Sequence, residues 1–185
     1  MSRSRRSGPD ARAPLGAPRR AAPSELGKER ERAFFAELRA LYADVDAAHA
    51  GYACPGTTEC CRFGITGREP YVTSLELALV TRAVRDRGGP LAPRRRALPM
   101  LEEARDDERI CPLLDATGRC SVYASRPLGC RTFWCHRSET SRDVSHDERL
   151  DFVRRLKELG ARHEPEGELG RPFFRAIRAI TSRRD

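Results

Sequence analysis

Cysteine is the residue type in this sequence best suited to chemistry, and it occurs in only two short stretches. The first stretch lies between positions 54 and 61, and the second lies between positions 111 and 135. Thiolates bind zinc and iron–sulfur clusters better than any other side chain, whereas cysteines that only filled a core would be scattered. We therefore expect seven candidate metal ligands: Cys54, Cys60, Cys61, Cys111, Cys120, Cys130 and Cys135.

The spacing of these cysteines excludes the commonest metal motifs. The chain has no Cys-x-x-Cys pair, so it is neither a zinc ribbon nor a zinc finger. It also lacks the Cys-x-x-Cys-x-x-Cys run of bacterial ferredoxins. Seven thiols exceed the four ligands of one tetrahedral ion. Two centres, or one centre with spare thiols, are therefore the alternatives, and the spacing leaves zinc, iron and an iron–sulfur cluster open.

Arginine and histidine side chains accompany the cysteines. A thiolate cluster is negatively charged, and arginine can donate to its sulfurs and balance that charge. We expect this supporting role for Arg126 and Arg131, which lie in the second stretch. His136 is an eighth candidate ligand. His49 precedes the first stretch, and we expect it to cap a helix rather than bind the metal.

Other signatures of catalysis are missing from the sequence. It contains no P-loop, no Gly-x-Gly-x-x-Gly after a strand, no Gly-x-Ser-x-Gly and no His-Glu-x-x-His. No catalytic residue is assigned on this basis. Whether the chain is an enzyme stays open, with an iron–sulfur redox or transferase enzyme as the alternative to a metal-binding protein.

The chain is basic, but its basic residues are poorly placed for reading nucleic acid. Its 185 residues carry a net charge of +8, and much of the excess lies in residues 1–23, which are also rich in Pro, Gly and Ala. We expect a disordered basic tail there and a single domain over 24–185. Few aromatic residues lie near the basic runs, so a metal-stabilised nucleic-acid-binding module is the least favoured alternative.

No stretch of the sequence resembles a signal peptide or a membrane span. We therefore expect a cytoplasmic protein without membrane contact. In a reducing cytoplasm cysteines serve as thiols or metal ligands, and the odd number of cysteines also argues against complete pairing in disulfides.

Hydrophobic periodicity predicts a mainly α-helical fold with one short β-hairpin, a small irregular domain centred on metal. The predicted helices are, in chain order, 24–50, 73–87, 94–107, 145–159 and one that begins at Pro172. In the residues that open the second helix, Thr73 and Glu76 have the spacing of a capping box. The fourth predicted helix should point Leu150, Val153 and Leu156 inward and stop at Gly160. Residues 110–114 and 120–123 should form the hairpin, which would place Cys111 beside Cys120.

Several short motifs resemble one known family. They are the sequence Cys-Cys-Arg-Phe at 60–63, Thr-x-x-Glu at 73–76, Cys-Pro-Leu-x-Asp at 111–115, Gly-x-Cys-x-x-Tyr at 118–123 and Arg-Pro-x-x-Cys-Arg-x-Phe-x-Cys at 126–135. The pattern is similar to that of the CxxCxxCC family, the YkgJ-like bacterial cysteine-cluster proteins. The resemblance covers about 54–135, which is less than half of the chain.

The resemblance implies a zinc- or iron-chelating domain, and some relatives resemble a flagellin lysine methylase with an iron–sulfur centre. One expected thiol is missing, because Thr57 stands where the family's first motif has a cysteine. A hydroxyl is a poor zinc ligand, so a cysteine of the second stretch would have to complete the site. We therefore expect the two cysteine stretches to converge in space.

Overall fold

The computed structural model describes residues 24–50, 58–89, 109–132, 144–167 and 170–181. The predicted tail over 1–23 and the predicted helix over 94–107 lie outside the described residues.

Helix α1 (Glu25–Ala48) is the longest element of the described chain. The hydroxyl of Ser24 accepts a hydrogen bond from the Gly27 amide and so satisfies one of the free donors at the start of the helix. The helix ends two residues before the predicted end. Its apolar residues recur every three or four positions and are buried along one face: Phe34, Phe35, Leu38, Leu41, Tyr42 and Val45.

Helix α5 (His146–His163) packs antiparallel against α1. Asp44 and Glu37 of α1 form ion pairs with Arg155 and Arg162 of α5, respectively. The helix does not stop at Gly160 as predicted. Gly160 is buried inside the helix, which continues to His163.

The buried face of α5 also differs from the prediction. Phe152, Leu156 and Leu159 are buried, whereas Leu150 and Val153 are exposed. The buried positions repeat at the four- and three-residue steps of one helical face. Leu150 lies on the opposite side of the helix, and Val153 lies at the edge of the buried face. The prediction for Leu156 is therefore confirmed, and the predictions for Leu150 and Val153 are wrong.

Helix α3 (Ser74–Asp86) lies between two apolar clusters. It begins with the predicted capping box, in which Thr73 and Glu76 satisfy each other's backbone amides. Leu75 and Leu79 pack with α1 and α5 in the first cluster. Residues Val80 and Val84 pack in the second cluster, which contains the buried Cys111. Three partly buried cysteines pack against this cluster: Cys61, Cys120 and Cys130.

A two-stranded antiparallel sheet joins distant parts of the chain. Strand β1 (Tyr71–Val72) pairs with β2 (Arg171–Pro172), which leads directly into helix α6 (Phe173–Thr181). The predicted hairpin over 110–114 and 120–123 is wrong as a pair of strands. The segment is a turn closed by a single bridge between Leu114 and Cys120.

Short helical segments complete the described chain. They are a 3-10 turn at Glu59–Cys61, α2 (Phe63–Thr66), a second 3-10 turn at Tyr123–Ser125 and α4 (Leu128–Thr132). The fold is mostly helical with a short antiparallel sheet, so the predicted mainly α-helical class of a small domain is confirmed. The metal at its centre stays a prediction. Within the described ranges, no helix combines the length and the apolar character that crossing a bilayer requires.

Candidate metal centre

The structure brings together the five cysteines that it describes, although they come from three separate segments. Cys60 and Cys61 lie in the first 3-10 turn, Cys111 and Cys120 flank the bridged turn, and Cys130 lies on α4. All five are free thiols. The remaining positions named from the sequence lie outside the described residues: Cys54, Thr57, Cys135 and His136.

Backbone pairing fixes the first cysteine stretch against the start of the second. The Cys111 amide donates to the Cys61 carbonyl at 2.8 Å, and the adjoining residues Arg62 and Ile110 form an antiparallel bridge. These bonds hold Cys61 and Cys111 side by side without any help from a metal.

The turn after Cys111 brings Cys120 back toward it. Asp115 accepts hydrogen bonds from the amides of Thr117 and Arg119, which closes the turn. Gly118 has a φ of 79°, a conformation that glycine adopts without steric cost. The Cys111 and Cys120 thiols interact electrostatically, in agreement with the prediction that they are neighbours.

Helix α4 presents Cys130 to the same cluster. The Pro127 carbonyl accepts from the amides of Cys130 and Arg131, which forms the first turn of the helix. This interaction of thiols from both stretches agrees with the convergence that the sequence led us to expect. Cys130 interacts electrostatically with the other thiols of the cluster: Cys60, Cys61, Cys111 and Cys120.

One close pair of sulfurs belongs to adjacent residues. The Sγ atoms of Cys60 and Cys61 are 3.9 Å apart, and one thiol can donate to the other. The hydrogen bond from Cys61 lowers the pKa of Cys60 to about 7, and the nearby positive charge of Arg126 acts in the same direction. The same hydrogen bond, together with burial, raises the pKa of Cys61. One thiol of the pair therefore ionises readily while its neighbour retains the proton.

The other three thiols resist ionisation when no metal is bound. Burial raises the pKa of Cys111 to about 12, and it also raises the pKa of Cys120 and of Cys130. Neighbouring thiols add to each of these shifts, because a second negative charge in the cluster would be repelled. At neutral pH most thiols of the cluster are therefore protonated and uncharged. A bound cation would instead favour the ionised thiolates.

The donor atoms of this cluster fit a soft metal ion in chemical type. Zinc–sulfur bonds of about 2.3 Å in a tetrahedron place two sulfurs about 3.8 Å apart. The observed separation of 3.9 Å between Cys60 and Cys61 is close to that value. Within the described residues, however, no three His, Cys, Asp or Glu side chains are already arranged as ligands of one ion. At least one further thiol must turn toward the pair for a metal to bind.

Arg126 acts on the thiols and also contacts α1 and the second 3-10 turn. Its charge lowers the pKa of both Cys60 and Cys120, in addition to the larger effects of hydrogen bonding and burial on these groups. Its guanidinium stacks on the Tyr123 ring at 3.9 Å from the ring centroid and lies 3.7 Å from an oxygen of Asp46. Arg126 therefore lies near enough to the thiols for its charge to act on them, and its predicted supporting role at a metal centre stays a prediction.

Arg131 has its described contacts on the side of α4 that faces α1, and its predicted support of the thiols stays a prediction. It is buried, donates to Asp46 at 2.5 Å and donates to the carbonyls of Ala124 and Arg126 at 2.6 and 2.9 Å. Its guanidinium also stacks over the Tyr42 ring at 4.1 Å from the centroid. These contacts join α4 and the second 3-10 turn to α1.

A buried carboxylate beside the cluster is a site residue that sequence reasoning misses. Glu76 is 0% exposed, and burial raises the pKa of its carboxyl. One oxygen accepts from the amide and hydroxyl of Thr73, which is the predicted capping box. The other accepts from the Tyr42 hydroxyl at 3.1 Å and from the Leu128 amide at 2.8 Å. The motif Thr-x-x-Glu predicts the first pair of bonds but carries no signal for the second.

His49 takes the role that we expected for it at the end of α1. It is buried at the C-cap, and its Nδ1 lies 2.8 Å from the Val45 carbonyl. A ring nitrogen bonded in this way ties the last turn of the helix together.

Comparisons with known proteins identify no relative of this chain. Known protein families, curated proteins and solved structures all give no match. The assignment of a function therefore depends on the geometry and chemistry of the cysteine cluster.

Proposed function

We propose that this protein binds a soft metal, zinc or iron, through thiolates of the two cysteine stretches. The observation that carries the proposal is the gathering of five free thiols from three separate segments around the Cys60–Cys61 pair. Several buried thiols in one cluster cannot all ionise unless a cation balances their charge. A bound metal would do so, because it replaces their protons and adds its binding free energy to that of folding.

The residues that would hold the metal are the cysteines of this cluster, together with Cys54 and Cys135 of the same two stretches. Arg126 supports the proposal because its charge opposes the negative charge of the thiolates. The resemblance to the CxxCxxCC family points to the same chemistry. We include this resemblance in the proposal as support. We also propose a cytoplasmic location, because thiols stay reduced there.

An iron–sulfur enzyme is the second candidate, and one observation favours it. A cleft of about 230 Å³ is lined by Tyr42, Asp46, Tyr123 and Arg131, among others. Arg126 contacts both Asp46 and Tyr123 and so connects this cleft with the thiols. An iron–sulfur centre would supply electron transfer, and the arginines and Asp46 would hold and orient a polar molecule.

Metal analysis of protein purified without oxygen tests the proposal. We expect at least one equivalent of zinc or iron per chain, and a lower content in Cys130→Ala than in the unsubstituted protein. Zinc without visible absorption would favour a structural or chelating role. Iron with inorganic sulfide and a broad visible band would favour the enzyme. Protein that folds normally and holds neither metal would contradict the proposal.

A further inference from the structure

The buried carboxylate of Glu76 connects three helices, one of which carries Cys130. It belongs to α3, it accepts from Tyr42 of α1, and it accepts from the first amide of α4 at Leu128. Leu128 is 52 residues from Glu76, so this bond sets tertiary arrangement rather than local structure.

Helix α4 depends on tertiary contacts to hold its position. It has only five residues, which is too short to be stable by itself. The amides at the start of any helix lack partners within the helix, and here a carboxylate from another helix supplies one. Cys130 lies two residues after Leu128 in this short helix, so the bond from the Leu128 amide to Glu76 constrains the helix that carries Cys130.

From this arrangement we infer that Glu76 is a positioning residue, which acts through the Leu128 amide to hold Cys130 as a ligand of the metal centre. The inference depends on the proposed function. It assigns Glu76 a second task beside its local cap on α3. The two carboxylate oxygens divide these tasks, since one bonds Thr73 and the other bonds Tyr42 and Leu128.

This division allows a matched pair of variants. Glu76→Leu keeps a side chain of similar size but removes the acceptor for Leu128 and Tyr42, and it also removes one of the two bonds of the cap, the bond from the Thr73 amide. Thr73→Ala weakens the same cap while leaving the bond between Glu76 and Leu128 in place. A role confined to helix capping would make the two variants alike, whereas a positioning role separates them.

The measurements are zinc affinity, from competition with a chromophoric chelator, and the sulfur-to-metal charge-transfer absorption of the Co²⁺-loaded protein, which reports the number of thiolates bound. We expect Glu76→Leu to bind zinc roughly 10- to 100-fold more weakly, as is typical when a ligand loses its supporting partner. Its charge-transfer band should fall by one thiolate. Thr73→Ala should have a lower thermal stability with an unchanged band.

If Glu76→Leu and the unsubstituted protein had equal zinc affinity and equal charge-transfer absorption, the inference about Glu76 would be overturned and the proposed function would stand. Failure of the unsubstituted protein to bind any metal would overturn both the proposed function and the inference. If Glu76→Leu does not fold, the inference is tested instead by amide hydrogen exchange in the unsubstituted, zinc-loaded protein. We expect the Leu128 amide to be protected to the same degree as the core amides of α3, and rapid exchange at Leu128 would refute the inference.

Discussion

At the scale of single residues, the thiols give this protein an unusual dependence on pH. Burial raises the pKa of Cys111, Cys120 and Cys130 in the folded chain, and the hydrogen bond that Cys61 donates to Cys60, together with burial, raises that of Cys61. An unfolded cysteine has a pKa of about 8.5. Thiols with raised pKa values contribute to stability below the unfolded value, and they lose that contribution as the pH rises toward the folded values.

We therefore predict that the metal-free protein becomes less stable between about pH 8 and pH 11, since the unfolded chain releases thiol protons that the folded chain retains. Cys60 works in the opposite direction because its pKa is lowered to about 7, but it is one thiol against four. Denaturant unfolding at several pH values measures the effect. The zinc-loaded protein is the control, because its thiols have already lost their protons. If the free energy of unfolding of the metal-free protein stayed constant over this pH range, the thiols would not be buried together.

The sequence identifies the cysteines as candidate ligands, but it does not predict the tertiary contact of their neighbour Glu76. The cysteines can be recognised because a scarce residue confined to two short stretches indicates shared ligation. Glu76 is predicted only as a capping residue, since a capping box is a local pattern of four residues. Its bond to Leu128 depends on how two distant segments pack, and no local pattern encodes that.

At the scale of elements, the close approach of α4 to the start of β1 holds the Cys130 helix in place. A Cβ atom added at Gly129 would lie 2.6 Å from the Cβ of Pro70 and 3.3 Å from its Cα. Both distances are shorter than ordinary contacts between carbon atoms. A side chain at position 129 would therefore push α4 away from the segment that it packs against.

We predict that Gly129→Ala destabilises the protein by roughly 1–3 kcal/mol, the usual effect of forcing an extra group into a packed site. Gly170→Ala is a matched control beside the same strand, because its Cβ would make an ordinary contact at 3.7 Å with Tyr71. Chemical denaturation of both variants gives the comparison. Equal midpoints would mean that α4 does not rest on Pro70.

Helices with a regular apolar repeat can be predicted, whereas the short paired segments cannot. The predicted bounds of α1 and α3 agree with the structure to within about two residues because their apolar faces and caps are local features. Strands β1 and β2 have two residues each and lie far apart in the sequence, so they carry no periodic signal. Gly160 shows a second limit, because a glycine can lie inside a helix as well as end one.

At the scale of the whole molecule, two apolar clusters share α3 and serve different purposes. The first joins α1, α3 and α5 through large aliphatic and aromatic side chains. The second contains Cys111 together with Phe63, Val72 and Ile177, and three more of the described cysteines pack against it, so its apolar residues shield these thiols from water. In this arrangement the helical cluster supplies a frame, and the cysteine cluster would gain its full stability only with a metal bound.

X-ray absorption at the edge of the bound metal tests this account most directly, because it reports the atoms that surround the ion. We predict a first shell made of sulfur, at about 2.3 Å if the metal is zinc. The same measurement on Cys130→Ala should show one sulfur fewer. A first shell of nitrogen and oxygen at about 2.0–2.1 Å would contradict the account, because the metal would then be bound somewhere other than the cysteine cluster.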